Sequence, residues 1–339
     1  MNSKRGRKRT AILEVLRTEQ EPVSSAMISA ELMARGVEAS ERTVREYLSQ
    51  LRGEGLSVAV GKRGHRVTAE GLAELDAATL LYRVGFLSAK IDEMTYRMDF
   101  DLNSRRGTVV VNTSLVPADQ LAQGVERICR VFEKGYAMGT LMALLSPGEK
   151  LGQLEVPAGQ LGFCTVCSIT LNGVLLKYGI PTRSRFGGLL ELVGGRATRF
   201  VELITYDGTS IDPLEVFIRS GMTNYTGAIT DGNGRIGASF REVPADSRRR
   251  VVALAAELDA IGLGAFLKIG HSGQPLFNIP VGEGHAGAVV IGGLNPISIL
   301  EEMGYRIESR AMSGLLEYGR LFPYAEFPER LAAVTAVGG

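Results

Sequence analysis

At 339 residues, with 45% hydrophobic and 22% charged residues, the chain is globular and long enough for two or three domains. Its apolar runs are broken by Gly, Pro or charge too early to span a bilayer, which excludes a membrane protein. Three cysteines, Cys129, Cys164 and Cys167, cannot form a disulfide framework in a chain this size, and the basic start runs into a helix with Glu14 and Glu19 instead of an apolar signal segment, so a cytoplasmic protein is expected. The net charge of +1 hides a split: up to Arg66 there are 13 Lys and Arg against 8 Asp and Glu, a net +5, whereas the remainder has 25 against 29, a net −4. A polyanion partner for the N-terminal part alone follows from that asymmetry.

Three short helical patterns open the chain. The first runs from about Arg7 to Glu19, with Ile12, Leu13, Val15 and Leu16 as its apolar stripe, and stops before Pro22. Ser24 or Ser25 can cap the second, whose Met27, Ile28, Leu32 and Met33 face inward until Gly36. Ser40 caps the third, with Val44, Tyr47, Leu48 and Leu51 on one face and Arg42, Thr43, Arg45, Glu46 and Ser49 on the other. Leu56, Val58 and Val60 then alternate into the basic turn Gly61-Lys62-Arg63-Gly64, and Arg66-Val67-Thr68 returns, which is a hairpin wing. This order resembles the winged helix family of bacterial and archaeal regulators, with Thr68-Ala-Glu-Gly-Leu72 as the short closing helix. A helix fits the major groove of duplex DNA, so Ser40, Arg42, Thr43, Arg45 and Ser49 are the candidate base and phosphate contacts. The wing residues Lys62, Arg63, His65 and Arg66 and the arm residues Lys4, Arg5, Arg7, Lys8 and Arg9 are candidate phosphate contacts. A protein-interaction winged helix with a merely solvated arm is the alternative.

From Ala77 to Phe100 a helical stripe of Leu80, Leu81, Val84, Leu87, Ile91 and Met94 suits either dimerisation or packing on its own domain. Half-site geometry favours the dimer. Beyond it the chain repeats itself. Gly107 to Asp119 resembles Gly234 to Asp246, with Val116-Pro-Ala-Asp119 matching Val243-Pro-Ala-Asp246; Val156-Pro-Ala-Gly159 parallels Ile279-Pro-Val-Gly282; and Gly188-Leu-Leu-Glu191 matches Gly314-Leu-Leu-Glu317. Each copy reads β, α, β, β, α, β, a split βαβ with helices on one face of a mainly antiparallel sheet. Between the copies, strand (198–206), helix capped by Asp212 (212–220) and strand (222–230) are expected. The fold class is therefore α+β: a winged helix-turn-helix over residues 1–76, a linker or dimerisation helix over 77–104, a duplicated effector-sensing domain over 105–323 with repeats at about 105–192 and 232–318, and a tail over 324–339.

A duplicated fold generally makes a pseudo-symmetric cleft. Its equivalent strand-to-helix loops supply candidate effector residues: Cys167, Ser168 and Thr170 in one copy, Gly292, Gly293 and Asn295 in the other. Backbone N–H groups at a helix start suit a carboxylate or phosphate, and Lys177, Arg183 and Arg185 follow closely. Close packing and helix capping explain the same loops equally well.

The stretches Thr165 to Pro181, Ile211 to Phe217, Ser220-Gly-Met-Thr223 and Ile291-Gly-Gly-Leu-Asn-Pro296, with the linker Arg83 to Met94, resemble the NrpR nitrogen-regulation repressor family over nearly the whole chain. The resemblance implies a repressor of nitrogen-assimilation genes that leaves its double-stranded DNA operator when 2-oxoglutarate binds; a homodimer, no cofactor and no enzymatic activity are expected. It also adds Thr223 to the effector set.

Other chemistry fits less well. Cys164-Thr-Val-Cys167 lacks the further paired ligands of a zinc site and reads as buried thiols, so no metal is expected. His271 and His285 sit in Gly-rich loops without catalytic partners. Asp231-Gly-Asn-Gly-Arg235 reads as a hairpin turn, and Gly292-Gly293 is too short for a dinucleotide fingerprint. Two other readings are an enzyme acting on a small organic acid fused to a DNA-binding module, for which Glu191, Asp207 and Asp212 are the candidate bases, and an RNA-binding factor.

Overall fold

The computed structural model describes residues 4–19, 21–61, 63–75, 87–264 and 266–337, which fall into two compact units divided at Gly85. In the first unit α1 (Lys4–Thr18), α2 (Ser25–Ala34) and α3 (Glu41–Gly53) precede a hairpin of β1 (Ser57–Ala59) and β2 (His65–Val67), and α4 (69–75) follows. Ser24 caps α2 and Ser40 caps α3, each side-chain oxygen accepting a backbone N–H three residues on. Ile12, Leu13, Leu16, Ile28, Leu32, Val44, Leu48, Leu51, Leu56 and Leu75 form the core. Two expectations fail here. Met27 and Met33 are 58% and 65% exposed, because Ile28, Ser29 and Leu32 are the inward positions of α2; Val58 also points to solvent, whereas Leu56, just before β1, and Ser57 are buried.

The second unit begins with α5 (Leu87–Arg97) and continues through β3 (Thr108–Pro117), α6 (Ala118–Glu133), β4 (Leu141–Leu145), β5 (Lys150–Leu151), β6 (Leu154–Glu155), β7 (Gln160–Val166), α7 (Ile169–Lys177), β8 (Arg183–Val193) and β9 (Arg196–Thr205). Then come α8 (Pro213–Arg219), α9 (Tyr225–Thr230), β10 (Gly234–Pro244), α10 (Arg248–Ala260), β11 (Phe266–Ser272), β12 (His285–Ile291), α11 (Asn295–Glu302), β13 (Glu308–Glu317), β14 (Phe322–Pro323) and α12 (Phe327–Val337). Both copies follow the expected element order. The sheets, however, are not one per copy. Their orders are β13-β3-β7-β4-β14 and β11-β12-β10-β8-β9, antiparallel throughout, so the last strand of each copy completes the sheet of the other. One hydrophobic core runs through both.

Three further expectations are corrected. The segment 222–230 contains a helix, not a strand: Asn224 caps it by accepting from the Gly227 N–H, and Tyr225, Ala228 and Ile229 pack inward. The Asp231–Arg235 turn consequently joins a helix to a strand. The stretch from Tyr324 is not a tail, since Phe327 and Leu331 are buried, Phe327 meets Phe163 edge to face, and Tyr324 stacks on Phe132. In α5, Leu87, Ile91 and Met94 are buried against their own unit, with α7 as a principal neighbour, which leaves that part of the stripe unavailable for a dimer seam. Leu80, Leu81 and Val84 lie outside the described residues.

The two strand-to-helix turns meet at the centre. A Cβ on Gly293 would lie 2.3 Å from Asn112 Nδ2 and 2.4 Å from the Val166 carbonyl oxygen. Only glycine lets the turn before α11 rest on the turn before α7. Gly293→Ala is therefore expected to destabilise the second unit by about 1–3 kcal/mol, the usual cost of overpacking a core, read as a lower urea midpoint at unchanged slope. An unchanged midpoint would show that this contact yields freely.

Candidate DNA interface and effector site

On α3 the outward face carries Arg42, Arg45, Glu46 and Ser49, all exposed, with Ser40 and Thr43 at its start, where the two hydroxyls lie 2.9 Å apart. Glu46 takes a 3.4 Å contact from Arg42, while Glu41 binds Arg45 and accepts from Ser25 Oγ. These are exposed pairs of small worth, so both arginines can exchange them for phosphate. The wing is held by backbone bonds between Val23 and His65, and Gly64 permits the approach, because a Cβ there would sit 2.3 Å from Val23 O.

Not every predicted contact is free for DNA. Arg9 is tied to Glu54 and Glu74, bracing the start of the unit against its end. Burial, and then the charge of Arg52, lower the pKa of His65, so the imidazole is neutral near pH 7 and adds no charge to the wing. Arg66 reaches Glu21 at 3.4 Å. Arg63 is exposed and Lys8 half-buried. Lys62 and the side chains of Arg5 and Arg7 lie outside the described residues.

In the second unit the predicted effector residues separate into groups. Cys167, Thr170 and Asn295 are buried at the central turns, and their polar groups are committed. Thr170 Oγ1 bonds both the N–H and the carbonyl of Val110. Asn295 donates to the carbonyls of Tyr136 and Gly237 and accepts from Tyr225. Gly292 and Gly293 pack against Gly237 and Val166, and the N–H groups of Cys167 and Gly292 bond Val110 and Gly237. The turns are thus a close-packed seam and not the walls of an open cleft. Lys177 binds the Asp99 carbonyl and Thr223 binds Glu302. Burial, first, keeps the Cys164 thiol up at about 12 and that of Cys167 at about 11, so neither is a thiolate at neutral pH.

An open cleft of about 340 Å³ lies nearby, lined by Ser88, Ile91 and Asp92 of α5, by Arg183, Ser184, Tyr206 and Asp207, and by Glu242 and His285. Arg183 is the predicted residue that the cleft does contain, and Arg185 pairs with the buried Glu242 beside it. Ser184 Oγ accepts from Asn172, whose carbonyl oxygen in turn accepts from Arg241. Arg241 also donates to the Ser168 carbonyl and hydroxyl, each at 2.7 Å. This arginine, 1% exposed, is the residue that the sequence reading missed; a lone cation inside the otherwise buried strand 236–243 was the available signal. No carboxylate among the described residues pairs with it, and its Nε has no acceptor. Of the proposed bases, Glu191 is bound by Arg199 and Asp212 caps α8, which leaves Asp207 alone in the cleft. No group of three or more His, Cys, Asp or Glu residues among the described residues is placed to hold a metal.

A family model described as NrpR regulatory domains NRD1 and 2 matches residues 84–322. The chain belongs to the NrpR family. A second model, described as a ribonuclease R winged-helix domain, matches residues 10–75. The global nitrogen regulator NrpRI of Methanosarcina mazei is 32% identical over 92% of this chain and 96% of its own length. The global nitrogen regulator NrpR of Methanocaldococcus jannaschii is 31% identical over 97% of this chain, which spans 57% of that relative. The crystal structure of a nitrogen repressor-like protein from Methanococcus jannaschii superposes with a TM-score of 0.60 at 25% identity, covering 71% of this chain and 99% of that one. No described helix is long and apolar enough to cross a membrane.

Asp212 offers a test of the interior. Burial, foremost, and then Glu215 raise its carboxyl from the usual 3.8 to about 7. A folded value above the unfolded one makes the native state bind more protons between about pH 4 and 7, so this group's contribution is fully present below that window and lost across it. Asp212→Asn keeps a capping oxygen for the Leu214 N–H, and the variant is expected to gain thermal stability relative to the parent as pH rises through that window. A difference independent of pH would remove the raised carboxyl.

Proposed function

We propose that this protein is a nitrogen-regulatory, DNA-binding transcription factor: a homodimeric repressor whose operator affinity falls when a small dicarboxylate, 2-oxoglutarate first, binds the duplicated domain. Its winged helix unit supports the DNA half of this reading, and the observation that carries it is the exposed α3 face of Arg42, Arg45 and Ser49 opposite a buried Val44, Leu48 and Leu51. The net +5 of the first 66 residues suits a polyanion there, and a regulator without enzymatic activity fits relatives named as regulators.

For the effector half, the cleft beside Arg183 has room for a five-carbon diacid. Its wall includes α5, the first described element after the segment 76–86 that joins the two units. A ligand bound more tightly in the DNA-incompetent arrangement would shift the protein toward that arrangement through this helix.

The experiment is duplex binding by fluorescence anisotropy across salt concentrations. Arg42→Ala and Arg63→Ala are each expected to weaken binding and to lower the slope of log K against log salt by about 1, as the loss of one phosphate contact requires. Adding 2-oxoglutarate is expected to weaken the parent's binding about 5- to 150-fold, the span of a typical allosteric coupling. Salt-independent binding would refute the DNA reading, and an unmoved affinity at saturating 2-oxoglutarate would remove that effector.

A further inference from the structure

The two copies do not carry the same groups at matching positions, and the difference centres on Arg241. The offset that aligns Val116-Pro117 with Val243-Pro244 sets Ser114 at the position of Arg241. In the first sheet Ser114 pairs across to Ser309, their hydroxyls 2.8 Å apart. At the matching rung of the second sheet Arg241 pairs across to Ser184. Asn172, which binds both Arg241 and Ser184, has Ile297 as its counterpart in α11. The same arrangement of strands therefore closes at one place with two small hydroxyls and at the other around a guanidinium. The fold does not need the charge.

A guanidinium held dry without a carboxylate is a net cost to folding. Protein acceptors take two hydrogens of Nη1 and one of Nη2. Nε, which has no acceptor, and the second Nη2 hydrogen remain. Those two donors form the side-on edge through which arginine grips a carboxylate bidentately. The guanidinium is linked to the open cleft from its Nη1 side, through Asn172 to Ser184, and Tyr206, which lines the cleft, lies within electrostatic reach of it. At the cleft mouth Arg183 supplies a second cation.

We infer that Arg241 is the carboxylate anchor of a single anionic-ligand site per chain, entered past Tyr206 and Ser184, with Arg183 meeting the ligand's second acidic group and no equivalent site at Ser114. This rests on the proposed reading that the duplicated domain senses a small dicarboxylate. The duplication builds the frame twice and the recognition group once.

The test is isothermal titration of the full chain with 2-oxoglutarate, with succinate and glutarate as alternative diacids. The parent is expected to bind one diacid per chain. Arg241→Met is expected to lose about 10- to 100-fold in affinity, the usual worth of a charge-assisted pair. Its melting temperature is expected to fall whether or not Arg241 meets ligand, because Met leaves the Ser168 carbonyl and Asn172 Oδ1 without their donor, so the loss is read as diacid affinity of the folded variant. Arg241→Lys keeps the charge without the fork and is expected to lose about 10-fold; it decides the matter if the Met variant does not fold. A parent that binds none of the three diacids overturns the sensing reading together with this site. A parent that binds while the Arg241 variants bind equally well, or that takes two ligands per chain, overturns the assignment to Arg241 alone.

Discussion

The larger unit depends on one constraint: each copy of the repeat is completed by the last strand of the other. β8 leaves the first copy to lie against β10, and β13 leaves the second to lie against β3. Neither half can bury its sheet alone, so the two become one cooperative core. The same exchange brings the turn before α7 against the turn before α11, and Gly293 is the residue that lets them touch.

That constraint also sorts binding positions from packing positions. Equivalent loops in a duplicated fold are attractive as a ligand cleft, but here they form the seam. Thr170 and Asn295 perform one task in the two copies, satisfying the backbone of β3 and of β10. In the reading proposed above, ligand chemistry falls where the repeat's equivalence breaks, and the buried cation at Arg241 is the clearest such place. Its neighbours Tyr206 and Ser184 belong to the cleft whose other wall is α5.

Much of this was legible in the sequence. The capping serines Ser24 and Ser40, the 3.6-residue stripe of α3 and the basic hairpin specified the winged helix from local chemistry alone. Repeated motifs such as Val116-Pro-Ala-Asp119 gave the duplication and the order of its elements. What failed depended on distant partners. The segment 222–230 was expected as a strand, yet the Asn224 cap and the inward packing of Tyr225 produce a helix. A repeat alignment also cannot say which sheet a strand will join, so the exchange was invisible. Arg241 was missed because functional groups were sought in turns, whereas this one sits in a buried strand.

The account's central claim is that one molecule couples the interior of the duplicated domain to the α3 face, and such coupling must act in both directions. The most direct measurement is the affinity of 2-oxoglutarate for the protein alone and for the protein saturated with operator. The account requires operator to weaken ligand binding by the same factor by which ligand weakens operator binding. Equal ligand affinities in the two states would contradict it.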